Sequence, residues 1–386
     1  MAKNQSLGNK LNRTSSIAYF AIVVLFVTIK MLSHYGVLSF LGETGGIVLS
    51  VVIQIGLMFL ISVGVMWAVT KKKPLEVFRF YGFKKISWKG VAIAFVMGII
   101  VYILTVYAST FFHIILQMLG FKSPESEPMQ SYPIWQLLLN ILLTAILPAI
   151  CEETCHRGMV LNGTSSAKKR STAIILTSIL FGLLHCNIEQ WFYTTLIGFF
   201  LGYLASVMEN IYPAIIIHFT NNALSVFMGY SQFHNLGATF VFDYVSEFMS
   251  NNAIMGILFL IILLAFLGLL LKFLTALLFK HTILKQIHSL NNKVLKQMEK
   301  DDYLQDLSSI VKSGETCKPP TEMQDFSKFK TLFYEYGKDY GFTSELKREV
   351  GEDLPAKKDW VSTAFNVASI VILSAVTIMS FIWGII

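Results

Sequence analysis

The sequence predicts an all-α, polytopic membrane protein. Of its 386 residues, 54% are hydrophobic and only 14% are charged, whereas about a quarter of an ordinary soluble domain is charged. The mean hydropathy of +0.60 comes from apolar runs long enough to cross a bilayer. So few charges could not cover a soluble surface, which excludes an ordinary cytoplasmic globule, a disordered chain and a disulfide-rich secreted module.

Nine apolar runs predict nine membrane-spanning helices. A helix needs about 20 apolar residues to cross a hydrocarbon core of about 30 Å, because each residue adds about 1.5 Å. In chain order, the runs are 15–33, 47–70, 91–119, 134–151 continuing to about 163, 172–187, 190–208, 213–229, 253–279 and 360–386. No small-residue cleavage site follows the first run, so we expect a retained helix rather than a signal peptide.

The distribution of the cations predicts the orientation of the chain, whose net charge is +7. Lysines and arginines cluster before the first run, at 71–89 and at 168–170, whereas the alternate loops contain almost none. The positive-inside rule therefore places the N-terminus in the cytoplasm. Because the cations lie between apolar runs and no nucleic-acid-binding signature accompanies them, we expect no nucleic acid partner.

The segment 280–358 differs in composition from the rest of the chain. Frequent charges of both signs predict that it lies in water, and apolar residues at three- and four-residue steps over 283–298 predict an amphipathic helix. The chain therefore divides into a membrane core at 1–279, a charged cytoplasmic segment with this helix, and a C-terminal transmembrane helix at 359–386.

Ionisable residues are rare inside the apolar runs, where each costs about 2.5–3.5 kcal/mol on insertion scales and indicates a functional site. They form three groups, which are Glu152, Glu153 and Arg157, then His185 preceded by Phe181, then His218 followed by Asn222. On a helix, Glu153 and Arg157 share a face and can pair, whereas Glu152 points about 100° away and is left for proton transfer. Depth in the membrane can be counted from the cytoplasmic end of each helix, at about 1.5 Å per residue. On this count, Glu152, His185 and His218 lie about 12 to 20 Å deep and can meet in one cavity.

A carboxylate, two histidines and an amide are sufficient for hydrolysis. Glu152 could take a proton from a water molecule that His185 positions. His218 and Asn222 could donate hydrogen bonds to the developing oxyanion. Glu152, His185 and His218 could also hold a divalent metal such as zinc, which would then activate the water. The residues alone leave both alternatives open.

The three groups resemble the motifs of the CPBP family of intramembrane proteases, which includes CAAX prenyl endopeptidases and bacteriocin-processing proteins and is also called the Abi family. The motifs are Glu-Glu-x-x-x-Arg from Glu152 to Arg157, Phe-x-x-x-His from Phe181 to His185, and His-x-x-x-Asn from His218 to Asn222. The resemblance covers about 134–228. It departs from the family pattern at His156, where a bulky aromatic often stands; this histidine could add a polar ligand or face a headgroup.

The resemblance implies an eight-helix-type core with a cavity open to the membrane and the cytoplasm, here extended by the charged segment and a ninth span. It implies an intramembrane endopeptidase that cleaves a membrane-associated protein or peptide. The implied roles are water activation by Glu152 and His185, oxyanion stabilisation by His218 and Asn222, and support of the site by Glu153, Arg157 and Phe181. Whether the family requires a metal is disputed, so the resemblance leaves zinc undecided.

Two other classes of function could use the same residues. A proton-coupled transporter could use the Glu/His cluster as a relay, although no paired inverted repeats are apparent. A catalytically silent scaffold could recruit partners through 280–358, although the motif set is complete. The Lys-, Asn- and Ile-rich composition indicates a bacterial plasma membrane, where prenylated proteins are not expected. We therefore expect peptide processing, bacteriocin immunity or turnover of membrane proteins.

Overall fold

The computed structural model describes residues 2–123, 131–251, 253–284 and 359–385. Within these ranges the chain forms helices and no strand, which confirms the all-α prediction. The helices are α1 Ala2–His34, α2 Ser39–Thr70, α3 Pro74–Phe80, α4 Trp88–Met118, α5 Ile134–Ser165, α6 Arg170–Leu184, α7 Ile188–Met208, α8 Tyr212–Phe233, α9 Phe240–Asn251, α10 Ala253–Phe279 and α11 Trp360–Ile385. Nearly all of the predicted amphipathic helix at 283–298 lies outside the described residues.

Seven helices of the described chain are long and apolar enough to cross a membrane, which confirms a polytopic membrane protein. They are α1, α2, α4, α5, α7, α10 and α11. The other two predicted runs correspond to α6, which has only 15 residues, and to α8, whose 22 residues include His218 and two asparagines. The two helices that carry the second and third motifs are thus the least typical membrane spans.

Segments of α2 and α5 depart from α-helical hydrogen bonding. Val52–Ile61 of α2, and Ile141–Ile146 and Thr154–Leu161 of α5, are π-helical. A π-turn changes the direction of the side chains that follow it, and such turns are frequent at functional sites. Each of these three segments contributes a residue to the candidate site described below.

Two apolar clusters form the interior of the described chain. The first joins side chains of α1, α2, α3, α5, α6 and α11, among them Tyr19 and Leu180. The second joins side chains of α4, α7, α8 and α10, among them Met97 and Ile217. Because α6 packs on α7 and α5 packs on α8, the two clusters meet along these four helices.

The cation-rich ends of the helices lie on one face of the molecule. Lys10 near the start of α1 donates to the Val69 carbonyl at the end of α2. Lys84 pairs with Glu209 at 3.2 Å, and Arg170 lies 3.9 Å from the same carboxylate. The cation clusters that were predicted to share one side of the membrane are therefore close together.

The C-terminal helix α11 runs parallel to α1. At its start, Asp359 pairs with Arg13 at 3.1 Å on the cation-rich face. Near its end, the Trp383 ring stacks on His34 with 4.1 Å between the ring centroids. The predicted ninth span is therefore packed against the first along its length.

Candidate active site

Phe181 is the centre of a cluster of imidazole rings. The rings of His156, His185 and His218 each meet it edge-on, with centroids 5.1, 5.4 and 5.7 Å from its own centroid. The Arg157 guanidinium lies near the ring, with Cζ 4.4 Å from the centroid, where a cation–π contact is favourable. The three sequence motifs, carried on or just after α5, α6 and α8, therefore meet around one aromatic side chain.

Glu153 links two of these motifs. Its Oε1 accepts a hydrogen bond from Arg157 Nη1 at 2.7 Å, as the four-residue spacing predicted, and a second from His218 Nδ1 at 2.9 Å. Arg157 Nη2 donates in addition to the Gly198 carbonyl of α7 at 3.2 Å. The side chains of Glu153 and Arg157 are fully buried, so this ion pair holds α5, α7 and α8 together inside the molecule.

The buried ion pair leaves polar atoms unsatisfied. Oε2 of Glu153 and Nε of Arg157 are buried and have no hydrogen-bond partner among the described residues. Buried polar groups without a partner are few in native proteins, and a catalytic role is one explanation for them. Both unsatisfied atoms belong to side chains that contact the clustered rings, Glu153 through His218 and Arg157 through Phe181.

Glu152 points away from Glu153, as predicted, and has a different partner. It is half-buried, and its Oε1 accepts a hydrogen bond from Gln54 Nε2 of α2 at 2.9 Å. It also lies close enough to His185 to interact with it electrostatically. Sequence reasoning missed Gln54, although an amide inside the second apolar run was a signal that could have found it.

The hydrogen bonds of His185 and His218 define which ring nitrogen is left for chemistry. His185 Nδ1 lies 3.1 Å from the Phe181 carbonyl, which only accepts, so Nδ1 is the donor. His218 Nδ1 donates to the Glu153 carboxylate in the same way. In both rings Nε2 remains, with a lone pair when the ring is neutral and a hydrogen when it is charged.

Two consecutive hydrogen bonds orient Asn222. Asn221 Nδ2 donates to Asn222 Oδ1 at 3.0 Å, and Asn222 Nδ2 donates to the Thr144 carbonyl of α5 at 2.9 Å. An amide nitrogen carries two hydrogens, so one remains for a further acceptor. Asn221 and Thr144 were not predicted from the sequence, because neither belongs to a recognisable motif position.

His156 is buried, which corrects the expectation that it could face a headgroup. Its Nδ1 donates to the Glu152 carbonyl at 2.9 Å, and its Nε2 lies 3.2 Å from the Tyr19 hydroxyl. Both ring nitrogens are therefore occupied by protein partners. The Tyr19 hydroxyl also lies 3.2 Å from the Leu180 carbonyl, so its one hydrogen can go to either acceptor, and the alternative role of His156 as a polar ligand stays a prediction.

The described residues do not form a ready metal centre. No group of three His, Cys, Asp or Glu side chains among them is arranged to hold a metal ion. Cys151, Cys155 and Cys186 are buried free thiols. Zinc at Glu152, His185 and His218 therefore stays a prediction, and no chemical step below depends on a metal.

Comparison with known proteins identifies the same segment. Residues 134–224 match the model of a family described as Type II CAAX prenyl endopeptidase Rce1-like. The match includes α5, α6, α7, the first part of α8 and all three motifs. No curated protein and no solved structure matches the chain. Residues 134–224 are therefore similar to the Rce1-like CAAX-type intramembrane proteases, which confirms the predicted resemblance to the CPBP family and indicates a protease.

Proposed function

We propose that this protein is an intramembrane endopeptidase that hydrolyses a peptide bond of a membrane-associated protein or peptide. The observation that carries the proposal is the cluster around Phe181, whose ring contacts His185, His218 and the guanidinium of the buried Glu153–Arg157 pair. This cluster lies within the segment that is similar to proteases. A single polar centre suits one reaction better than a relay that crosses the membrane.

Glu152 and His185 activate the water in this proposal. Glu152 receives its hydrogen bond from a neutral amide, so its charge is not cancelled by that partner and it can accept a proton. His185 offers the Nε2 lone pair to hold the water. As the water oxygen attacks the peptide carbonyl, its proton passes to Glu152, which then returns it to the leaving amine.

His218 and Asn222 stabilise the oxyanion in this proposal. Asn222 has one Nδ2 hydrogen left. His218 can donate from Nε2 only as an imidazolium, because its Nδ1 hydrogen is already donated to Glu153. One such donor is worth about 2.7–4 kcal/mol in the transition state where it has been measured.

The proposal includes a place and a class of substrate. The cation-rich face lies in the cytoplasm, with the N-terminus, at the plasma membrane of a bacterium. The substrates are then small peptides such as bacteriocins, or membrane proteins that are turned over. A prenylated CAAX peptide is the substrate class that the matched family's description names, so it belongs among the probes.

Cleavage by purified protein in liposomes tests the proposal. The probes are a farnesylated CAAX peptide and a set of unmodified transmembrane peptides, with products identified by mass spectrometry. We expect wild-type cleavage, its loss in Glu152→Ala, His185→Ala and His218→Ala, and a fall in kcat of about 10²–10³-fold in Asn222→Ala. Peptides that accumulate in cells with Glu152→Ala would identify the natural substrate.

The same preparations separate the alternatives. If wild type cleaves no probe, leaves the cellular peptides unchanged and drives proton-coupled flux, the protein is a transporter. If wild type neither cleaves a probe, nor changes the cellular peptides, nor drives proton-coupled flux, the scaffold alternative is favoured. The zinc requirement stays a prediction, which metal analysis and activity in the presence of a chelator decide.

A further inference from the structure

Gln54 is an amide in the middle of an apolar helix. It lies in the π-helical segment Val52–Ile61 of α2, outside the segment that matches the protease family. A polar side chain inside a membrane span is costly, and it is retained where it has a partner or a function. Among the described residues its side chain has one hydrogen-bond partner, which is Glu152.

We propose that Gln54 is a positioning residue that orients the Glu152 carboxylate for proton transfer. The inference rests on the proposed function, because Gln54 acts through Glu152 and not on the substrate. It adds α2 to the helices that build the site, and it assigns a role to a residue that no motif contains.

The geometry fixes the direction of this hydrogen bond. An ionised carboxylate only accepts, so the amide must present Nε2 to Glu152 at 2.9 Å. Oε1 of Gln54 is buried and has no partner in the described part of the chain. Reversing the amide would place two acceptor oxygens against each other and would gain no bond for Nε2. The Gln54 amide therefore has Glu152 as its hydrogen-bond acceptor in this part of the chain.

Gln54 is uncharged, so the hydrogen-bond partner of Glu152 differs from that of Glu153, which is a cation. Glu153 pairs with the Arg157 guanidinium at 2.7 Å, which compensates its charge. A cation at position 54 would compensate Glu152 in the same way and would make it a poorer proton acceptor. A glutamine orients the carboxylate through a hydrogen bond and leaves its charge in place.

Kinetics of Gln54→Leu test the role in catalysis, with the cleaved probe from the wild-type assay as substrate. We expect kcat to fall by about 10-fold or more, since a small misplacement of a catalytic group can cost about 10²-fold, with KM within twofold of wild type. The matched control is Gln136→Leu, which replaces another half-buried glutamine, on α5. Elution of both variants as folded protein in detergent shows that the core is intact.

Labelling with a hydrophobic carbodiimide, which reacts with protonated carboxyl groups, tests the hydrogen bond without a substrate. In Gln54→Leu we expect Glu152 to be labelled faster than in wild type at one fixed pH, because the amide that holds and covers its carboxylate is gone. Labelling of Glu153 is the internal control and stays unchanged. The substitution alters none of the titratable side chains near Glu152 in the described part of the chain, among them His185 and Arg157.

The kinetics and the labelling distinguish failure of the inference about Gln54 from failure of the proposed function. The inference about Gln54 is overturned, while the proposed function stands, if wild type cleaves its probe and Gln54→Leu keeps the wild-type kcat. It is also overturned if Glu152 is labelled equally in Gln54→Leu and in wild type. If wild type cleaves nothing, the proposed function fails, and with it the catalytic purpose of Gln54. The difference in Glu152 labelling between Gln54→Leu and wild type then still shows whether Gln54 holds the carboxylate.

Discussion

Adjacent carboxylates on α5 have different partners because the helix directs them to different neighbours. Glu153 is fully buried and bonded to a guanidinium and an imidazole. Glu152 is half-buried and bonded to an amide. In the proposed mechanism, the first is therefore a structural charge within the site, and the second is the proton acceptor.

Glu153→Gln is expected to destabilise the protein by about 3–5 kcal/mol, because it leaves the Arg157 charge buried without a counter-charge. Denaturant unfolding in detergent measures the effect. The control is Glu76→Gln, which removes the charge from a less buried pair with Arg79 and should cost less. Equal losses in the two variants would mean that full burial of the Glu153–Arg157 pair does not increase the cost of removing its carboxylate.

At the residue scale, spacing predicted the Glu153–Arg157 pair because residues four apart share a helical face. It could not predict that Glu153 also binds His218, since that contact joins residues 65 positions apart in the chain. Gln54 and Thr144 were not predicted for a related reason. Gln54 binds Glu152 98 positions away, and the Thr144 carbonyl binds Asn222 78 positions away.

At the scale of helices, the close approach of α6 to α7 places Phe181 and His185. It depends on Gly182: a Cβ at this position would overlap the Thr195 hydroxyl and lie 2.9 Å from the Thr195 backbone nitrogen. No rotation of a flexible side chain relieves the backbone overlap. Gly182 therefore determines how closely the second motif approaches α7.

Gly182→Ala is expected to push α6 from α7, to destabilise the protein by about 1–3 kcal/mol and to lower kcat by up to about 10²-fold through displacement of His185. Cleavage kinetics and thermal unfolding measure both effects. Gly64→Ala on α2 is the control, because a Cβ there meets nothing within 4 Å. Unchanged kinetics in Gly182→Ala would show that the α6–α7 spacing does not set the site.

Apolar run length predicted the helices well because the bilayer thickness fixes how long a span must be. The seven typical spans follow this rule. α6 and α8 follow it less closely, since α6 is short and the polar residues of the site lower the hydropathy of α8. The motifs, rather than hydropathy, predicted that these two helices meet at one site.

At the scale of the whole molecule, the helix packing places the cation-rich segments on one face and the cation-poor loops on the opposite face. The clusters at 71–89 and 168–170 lie on the face where Arg13 meets Asp359. The opposite face carries few cations and includes the contact of His34 with Trp383. Because cytoplasmic loops are enriched in Lys and Arg, the cation-rich face is expected in the cytoplasm.

Single cysteines placed on the two faces test this orientation. In a Cys317→Ser background, Lys169→Cys lies on the cation-rich face and Lys122→Cys near the opposite one, and both positions are exposed. In intact cells, a membrane-impermeant maleimide should label Lys122→Cys, and it should label Lys169→Cys only after the cells are opened. The three buried native thiols should stay unlabelled in both. The reverse pattern would place the N-terminus outside, and the site would then receive substrates from the other side of the membrane.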